Sequence, residues 1–482
     1  MNNSTSPTRQ AGLDDCKCSR RTFLKGCAAA ATLMGSRRAW AAEPQALAAS
    51  SGGKTPPNLL LITSDQHHAG AMSALGCRHV QTPNLDRLFR DGTCFAQSYT
   101  TNPICSPARS SWFTGRMPSE TGVKSNGLPI REGMPTMGNL LSDGGYQTFY
   151  LGKWHLPRPY PATIPGFQVV PTGVSGQGHL ADASISQAFS AMLTHQRLPQ
   201  PFAAVVNFLQ PHDICGWLQD HRKFPLKQAP YGLDESQLPP LPPNFDCRLA
   251  EGAWLKSRTS LRPQWEPIQW RYYLWAYYRH VEMVDAEIGA VLDALEDSPY
   301  ADNTVIIYTS DHGEGMAHHG LVTKNVLYDP AARVPMVACW RGHIGQGVRD
   351  KDHLVSGLDL LPTMCDYAGV ACPAGVHGQS LRPLLEGRAG PWRSELGIES
   401  TAGGHALRSQ RYKYIAYTND PVEQLFDMAE DPLETKNLVG EASMAAVLED
   451  HRRRLAQWDS RLDKAPVVKK TPAASAAANS DE

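Results

Sequence analysis

The sequence lacks the features that mark several large classes of protein. Its 46 Lys and Arg nearly balance its 47 Asp and Glu over 482 residues, so no excess of positive charge indicates nucleic acid or an anionic membrane surface as a partner. The N-terminal apolar stretch GCAAAATLMG is too short and too rich in alanine to cross a bilayer as a helix. We expect no nucleic-acid partner and no stable membrane span, and we find no internal repeats.

Cysteines are few and follow no regular spacing. Cys16, Cys18 and Cys27 lie in the N-terminal segment, and the others are scattered without a C-x-x-C pair or a Cys/His zinc pattern. This distribution predicts no disulfide framework, although one or two disulfides stay compatible with an exported protein. The scattered cysteines are Cys77, Cys94, Cys105, Cys215, Cys247, Cys339, Cys365 and Cys372.

The N-terminal segment has the parts of an export signal in the right order. Paired arginines in SRRTFLK (19–25) precede the weak apolar stretch, and AWA (39–41) follows as a small-x-small cleavage site. This order resembles a twin-arginine signal peptide, here residues 1–41. We therefore expect the twin-arginine machinery to export the folded protein to the periplasm or outside the cell.

Short apolar runs separated by helical patterns predict an α/β fold. The runs do not alternate apolar with polar residues, which is typical of strands buried on both faces. The clearest helical pattern spans 270–296. We therefore expect a large, mixed and mostly parallel sheet sandwiched by helices. The runs are 58–65, 147–155, 201–213, 303–313 and 334–340.

Composition divides the rest of the chain. A large α/β domain is expected over 55–380, and short alternating strands followed by a helix predict a smaller C-terminal α+β subdomain over 381–464. The Pro-, Ala- and Lys-rich residues 465–482 predict a disordered tail. Residues 214–268, rich in Pro, Gly and Trp, are interpreted as an insertion over the strand ends, where specificity usually resides.

Titratable residues follow four of the five predicted strands. One acidic residue after a strand is usually a turn or helix cap, but four such clusters in one register are hard to explain as caps. Because sites in open α/β sheets form outside the carboxyl ends of the strands, the clusters predict one shared polar cleft. They are Asp65, Lys153 with His155, His212 with Asp213, and Asp311 with His312.

Cys105 precedes the start of a predicted helix. Ser106 as a cap and Pro107 in the first turn indicate that a helix begins here, which would place Cys105 at its positive end. The residues alone leave three interpretations open: a buried thiol, half of a disulfide, or a nucleophile with a lowered pKa.

Several blocks in this chain resemble the type I sulfatases of the alkaline phosphatase superfamily. The resemblance implies an alkaline-phosphatase-like fold and the hydrolysis of sulfate esters. In that family a maturation enzyme oxidises the cysteine of C-x-P-x-R to formylglycine, an aldehyde residue. The matching blocks are CSPAR (105–109), TGR (114–116), LGKWH (151–155), QPHD (210–213), SDHGEGMAHHGLVTKNVLYDPAARVPM (310–336) and LFDMAEDPLETKNL (425–438).

The resemblance also implies a bound divalent cation. Its ligands would be Asp65, Gln66, Asp311 and His312, together with the oxygen of the modified Cys105. These are mostly oxygen donors, which suit Ca²⁺ or Mg²⁺ better than zinc, and the family favours Ca²⁺. Gln66 departs from the many members with a second aspartate at this position, so its carbonyl oxygen would bring no charge.

The remaining catalytic roles follow from the same resemblance. One hydroxyl of hydrated formylglycine would attack the sulfur atom of the substrate, and the other would later expel the sulfate. Arg109, on the same helix face as Cys105, would hold the formylglycine hydroxyl and nearby carboxylates. Lys153 would contact the sulfate, and His155 would assist hydrolysis of the covalent sulfate.

Three further residues would bind the substrate. His212 and Lys324 would contact sulfate oxygens, and one of them, left open here, would protonate the leaving oxygen. His319 matches a residue that faces the cleft. Proximity to the motifs also makes four residues candidates for the pocket lining: His67, His68, Asp213 and Trp217.

The leading hypothesis is an exported sulfatase that cleaves sulfate monoesters, with a sulfated carbohydrate as the expected substrate. One alternative is a phosphonate or phosphate monoester hydrolase of the same superfamily, which typically has more metal-binding carboxylates and histidines than this chain offers. The other is a non-catalytic protein that binds sulfated glycans, which would not need Lys153, His155, His212 and Lys324 together.

Overall fold

An eight-stranded sheet forms the centre of the fold. The computed structural model describes residues 55–157, 163–172, 177–223, 233–388 and 390–466, so the predicted signal peptide lies outside the described residues. The sheet has the strand order β5-β4-β6-β1-β7-β8-β2-β9. Its strands are β1 (Asn58–Asp65), β2 (Thr93–Phe95), β4 (Gln147–Gly152), β5 (Gln168–Val169), β6 (Phe202–Pro211), β7 (Thr304–Ser310), β8 (Met336–Cys339) and β9 (Val348–Asp350).

Five neighbouring strands of this sheet, from β5 to β7, are parallel. Leu59 of β1 lies opposite Ala203 of β6 on one side and Val305 of β7 on the other. The strand β8 runs antiparallel to β7 and to β2. The prediction of a mixed, mostly parallel sheet is therefore confirmed, and each of the five apolar runs contains one strand.

Helices cover both faces of the sheet. Leu59 and Leu61 of β1 belong to one apolar cluster, and Leu60 and Ile62 belong to another on the opposite face. Both faces are buried, which explains why apolar and polar residues do not alternate along β1. The helices are α1 (Pro83–Arg90), α2 (Cys105–Thr114), α3 (Pro118–Thr121), α4 (Met137–Asp143), α5 (Gly178–His195), α6 (Ile214–Lys223), α7 (Ala253–Ser257), α8 (Pro267–Glu296), α9 (Asp329–Ala332), α10 (Leu360–Ala368), α11 (Arg382–Leu385) and α12 (Ala445–Ser460).

A second, antiparallel sheet follows near the C-terminus. One face of this sheet packs against α12, where Leu407 and Leu425 contact Leu448 and Leu455. Its other face carries Ile415 into an apolar cluster with residues of the main domain. The predicted C-terminal α+β layer is thus present, and two short strands, β3 (Ser98–Tyr99) and β10 (Val355–Ser356), pair separately. The four strands of the second sheet are β11 (Glu395–Glu399), β12 (Gly404–Ser409), β13 (Tyr412–Tyr417) and β14 (Glu423–Asp427).

The chain past α12 stays ordered further than the composition indicates. Ala465 is buried, and its backbone N–H donates to the carbonyl of Ser119 over 2.8 Å. This contact lies within the predicted tail 465–482, of which residues 467–482 lie outside the described residues.

The described part of the chain bears on two expectations, one about membrane-spanning helices and one about disulfides. No helix there is both long enough and apolar enough to cross a membrane. The eight scattered cysteines are all free thiols in the structure. The three N-terminal cysteines lie outside the described residues.

A buried ion cluster joins the second sheet to the main domain. The ammonium group of Lys413 on β13 lies 2.8 Å from Asp329 of α9 and also pairs with Glu434. Arg408 donates to the hydroxyl of Tyr99 over 2.9 Å. Since α9 follows the loop that carries Asp311 and His312, the second sheet supports that loop.

We predict that Lys413→Met destabilises the protein by about 3–5 kcal/mol, because it leaves Glu434 buried without its ion-pair partner and leaves Asp329 with Arg333 alone. Urea unfolding measures the change in free energy. Lys436→Met is the matched control, because Lys436 forms an exposed pair with Glu441 at 2.9 Å and its loss should cost about 0–1 kcal/mol. Equal losses in the two variants would contradict this account.

Candidate active site

The strand order brings the predicted polar clusters together. Asp65 ends β1, Lys153 follows β4, His212 follows β6 and Asp311 follows β7. These four strands are neighbours in the order β4-β6-β1-β7 and are parallel. Their carboxyl ends therefore meet at one edge, as the sequence register predicts.

Cys105 is the first residue of α2 and is fully buried. Extended Ile104 precedes the helix, so the expectation that Ser106 caps it is wrong. The Ser106 hydroxyl instead donates to the carbonyl of His155 over 2.7 Å, because it points across to the loop after β4. Burial raises the pKa of the Cys105 thiol, and Asp65 adds to this, which argues against a simple thiolate nucleophile.

Four side chains could hold a metal ion. One ligand atom from each of Asp65, Cys105, Asp311 and His312 lies within 4.8 Å of the others, and all four residues are buried. His312 Nε2 lies 3.2 Å from the Cys105 sulfur atom, and His312 Nδ1 lies 2.9 Å from the carbonyl of Gly313. If Nδ1 donates to that carbonyl, Nε2 presents its lone pair to the cluster. The donor set therefore fits a divalent cation.

Arg109 holds the two carboxylates of this cluster. Its Nε donates to Asp311 Oδ2, and its Nη2 donates to Asp65 Oδ2, each over 2.9 Å. Nη1 donates to the carbonyl of Lys153 over 3.1 Å. The guanidinium is fully buried and lies over the Trp112 ring at 5.3 Å. One arginine thus links the ends of β1, β4 and β7.

Two lysines approach the Cys105 sulfur atom. Lys324 Nζ lies 3.4 Å from it, and Lys153 Nζ lies 4.0 Å from it and 2.8 Å from Asp65 Oδ2. Burial alone would raise the pKa of Asp65, but the charges of Lys153, Arg109 and Lys324 hold it well below its ordinary value. Three buried cations therefore surround two carboxylates, which favours the binding of an anion.

Gln66 contacts the cluster in an unexpected way. Its backbone N–H donates to Asp311 Oδ1 over 3.0 Å, and its side-chain Oε1 accepts from Lys324 Nζ over 2.9 Å. Its Nε2 donates to Glu314. The side-chain carbonyl therefore orients Lys324, and its role as a metal ligand stays a prediction.

His212 is buried beside both lysines. Burial, followed by the charges of Lys324 and Lys153, holds its pKa well below the ordinary value. The ring is therefore neutral in the free protein. His155 is also buried, and its backbone adopts a left-handed conformation with φ of 66° at the turn that receives the Ser106 hydroxyl.

His319 has its contacts elsewhere. Its ring stacks on Tyr328 at 4.5 Å, and its Nε2 lies 3.3 Å from the Asn244 amide nitrogen. Its part in substrate binding stays a prediction. Asp213 accepts from the backbone N–H groups of Gly178 and His179 over 2.7 and 2.9 Å, so it caps α5.

The other candidates for the pocket lining have structural contacts. His67 lies 2.6 Å from the Tyr308 hydroxyl, and His68 lies 3.0 Å from the carbonyl of Pro330. Trp217 stacks on His221 at 3.8 Å. The His67 and His68 contacts hold the chain after β1, and the Trp217 contact lies within α6.

Sequence reasoning did not single out two features of the site. Glu314 is buried and accepts hydrogen bonds from Gln66, Tyr273 and Thr323; its position two residues after His312 was the available signal. A cavity of about 130 Å³ beside Lys324 is lined by Trp254 and Arg258. Both lie in the predicted insertion, but no motif distinguishes them.

Comparisons with known proteins identify the family of the chain. The family model described as Sulfatase matches residues 57–370, and the model described as N-sulphoglucosamine sulphohydrolase, C-terminal, matches residues 317–461. The chain is 32% identical over 444 residues to a Δ4,5-hexuronate-2-O-sulfatase of Bacteroides thetaiotaomicron, covering 84% of this chain and 89% of the relative.

Solved structures share the fold. A protein described as a 2-O GAG sulfatase is 30% identical with a TM-score of 0.75, covering 84% of this chain and 92% of that one. The phosphonate monoester hydrolase of Agrobacterium radiobacter is 24% identical with a TM-score of 0.70, covering 86% and 100%. The second likeness concerns the fold alone.

We predict that a divalent cation stabilises the protein against heat. A ligand at 100 times its Kd adds about 2.7 kcal/mol, so Tm should rise with Ca²⁺ and fall in chelator. Asp311→Asn, which removes one carboxylate of the cluster, should abolish this response. Asp293→Asn, in an exposed pair with Arg87, should respond like the wild type. A wild-type Tm that ignores Ca²⁺, Mg²⁺ and chelator would count against the site.

We predict that His212→Gln flattens the loss of stability at acid pH. Because the folded-state pKa of His212 lies below its unfolded value, the unfolded state binds the extra proton as pH falls through about 6.5. Wild-type stability therefore falls there by up to about 1.4 kcal/mol per pH unit on account of this residue.

Urea unfolding at pH 7.5 and 5.5 in chelator measures this effect. The difference between the two pH values should be smaller in His212→Gln by about 1 kcal/mol or more. The exposed His195 supplies the control His195→Gln, which should retain the wild-type slope. The same slope in all three proteins would refute a neutral, buried His212.

Proposed function

This chain belongs to the sulfatase family of sulfuric ester hydrolases, and we propose that it hydrolyses sulfate monoesters on carbohydrates at the Cys105 cluster. The observation that carries the proposal is the buried Asp65, Cys105, Asp311 and His312 cluster with two lysines at the sulfur atom. The matches to a Δ4,5-hexuronate-2-O-sulfatase and a 2-O GAG sulfatase support a sulfated carbohydrate as substrate.

The nucleophile in this proposal is a formylglycine made from Cys105 by a maturation enzyme. Its hydrate supplies one hydroxyl to attack sulfur and a second to expel the sulfate, a cycle that a thiol does not complete. In the structure residue 105 is cysteine, and its sulfur occupies the position on Cβ that the modification would replace with oxygen. Burial of the thiol against a helix N-terminus is compatible with this role.

A divalent cation would be held by Asp65, Asp311, His312 and the modified residue 105. When bound, it would lower the pKa of the nucleophilic hydroxyl and offset the negative charge of the sulfate. The oxygen-rich donor set after modification favours Ca²⁺, with Mg²⁺ as the second candidate. Arg109 donates to both carboxylates and so orients them.

The two lysines have the geometry to hold the sulfate. Burial would lower the pKa of Lys324, but neighbouring groups, Asp65 among them, raise it above the ordinary value, so its ammonium group stays charged. Gln66 accepts a hydrogen bond from that group over 2.9 Å. Lys324 and Lys153 would therefore bind sulfate oxygens beside the nucleophile.

We assign the proton of the leaving oxygen to His212. Burial, and after it the charges of Lys324 and Lys153, lowers the pKa of His212 in the free protein. A sulfate bound between the lysines would offset those charges and raise that pKa toward neutrality. Of the two candidates, His212 and Lys324, His212 is the one that substrate binding would bring into its protonated form. A general acid must carry a proton that it can give to the leaving oxygen. His155, on the loop after β4, would assist hydrolysis of the covalent sulfate.

Export to the periplasm or beyond is part of the proposal. Its support is the order of paired arginines at 20–21, the apolar stretch and the AWA site at 39–41. Since that machinery carries folded proteins, Cys105 could be modified in the cytoplasm first. Sulfated polysaccharides outside the cell would then be accessible substrates.

The test measures two things: whether residue 105 is modified, and which ester the protein cleaves. Mass spectrometry of the tryptic peptide should show Cys105 lighter by about 18 Da in protein made with a maturation enzyme. Cys105→Ala should lower aryl sulfatase activity by more than about 10³-fold, because the covalent route is lost. Aryl sulfate should be cleaved faster than aryl phosphonate.

Two controls make this test decisive. Protein made without a maturation enzyme should have an unmodified Cys105, a native circular dichroism spectrum and no sulfatase activity. Cys372→Ala changes a partly buried free thiol on the chain after α10 and should keep full activity. Faster cleavage of phosphonate than sulfate would favour the alternative hydrolase, and full activity in Cys105→Ala would refute the mechanism.

A further inference from the structure

A cavity of about 130 Å³ adjoins the proposed catalytic cluster. Lys324 and Cys215 are part of its lining, and Lys324 is also 3.4 Å from the Cys105 sulfur atom. Trp254 and Arg258, from the segment that the sequence identifies as an insertion, complete another part of the lining. A group bound in this cavity would therefore be next to a sulfate bound at Lys324.

The charged residues that line the cavity are all positive. Arg258 and Lys324 are lining residues, and no aspartate or glutamate of the described chain is among them. Arg258 is exposed, and within the described residues its side chain makes no hydrogen bond or ion pair; it lies over the Trp254 ring at 5.5 Å. Its neighbour Arg262 differs, because it pairs with Glu251. The Arg258 guanidinium is thus available to a ligand.

The segment that carries Arg258 is anchored on both sides. The backbone N–H of Ala253, at the start of α7, donates to Asp420 of the second sheet's β13–β14 turn. Gln424 of β14 donates to the carbonyl of Ala250 over 2.9 Å. Past Arg258, the carbonyl of Leu261 accepts from the backbone N–H of Val322 over 2.9 Å. A wall held in place this way loses little entropy when a ligand binds.

We propose that Arg258 binds a second anionic group of the substrate, a carboxylate or a second sulfate ester, while Trp254 packs against the sugar ring. The enzyme would then select sugars that carry two negative charges. A guanidinium forms paired hydrogen bonds with either anion, and an indole ring offers a flat apolar face to the ring carbons of a sugar. This inference rests on the proposed sulfatase function and names the class of its substrates.

The test compares Arg258→Gln with the wild type on four sulfate esters. These are an O-sulfated hexuronic acid, a disulfated hexosamine, an O-sulfated neutral hexose and an aryl sulfate. We expect kcat/KM to fall about 10- to 100-fold on the hexuronic acid or the hexosamine, mainly through KM. The two singly charged substrates should change by less than about twofold. The substrate that loses most identifies the anion as carboxylate or sulfate.

Lys256→Gln is the matched control. Lys256 is an exposed cation two residues before Arg258 and is not among the lining residues of the cavity. It should match the wild type on all four substrates. An equal loss on all four in Arg258→Gln, or no loss on any, would overturn the inference.

Binding separates this inference from the proposed function. Calorimetry in a Cys105→Ala background measures the affinity for the same sugars without turnover, and Arg258→Gln should weaken it about 10-fold or more for the doubly charged sugar only. If the wild type hydrolyses no sulfate yet this difference in affinity appears, the sulfatase proposal fails and the Arg258 site stands. If turnover is present and the affinity does not change, the Arg258 site fails alone.

Discussion

The site depends on the buried ion pairs of Arg109 with Asp65 and Asp311. Two carboxylates this close would repel each other and would be costly to remove from water without a cation between them. The guanidinium offsets both, and its remaining nitrogen donates to the carbonyl of Lys153. Because Arg109 is one helical turn from Cys105 on α2, this contact fixes residue 105 relative to the ends of β1, β4 and β7.

The charges around this pair explain why the site would accept an anion. Asp65 and Asp311 are outnumbered by Arg109, Lys153 and Lys324, all of them buried. A cation added to the Asp65, Cys105, Asp311 and His312 cluster would increase the positive excess, and a sulfate group would offset it. The low pKa of His212 comes first from burial and then from the charges of Lys324 and Lys153. Metal binding, sulfate binding and the protonation of His212 are therefore linked in the proposed mechanism.

The second sheet contributes to the site without providing a member of the cluster. Lys413 pairs with Asp329 just beyond the loop that carries Asp311 and His312, and Asp420 anchors the segment of Trp254 and Arg258. The second sheet thus holds both the loop that carries Asp311 and His312 and the segment that lines the cavity. Its contribution to substrate choice would follow from this packing.

The sequence by itself determined the strands, the mostly parallel sheet and the set of polar residues at its carboxyl edge, because buried parallel strands leave continuous apolar runs and their ends share one edge. The motif around Cys105 indicated the family because its residues are close together in the chain. Tertiary structure alone decided that Ser106 bonds to the loop of His155, that Gln66 orients Lys324, and that Arg258 lines the cavity. These contacts join residues far apart in the chain, and side-chain direction at such contacts depends on packing that no local pattern encodes.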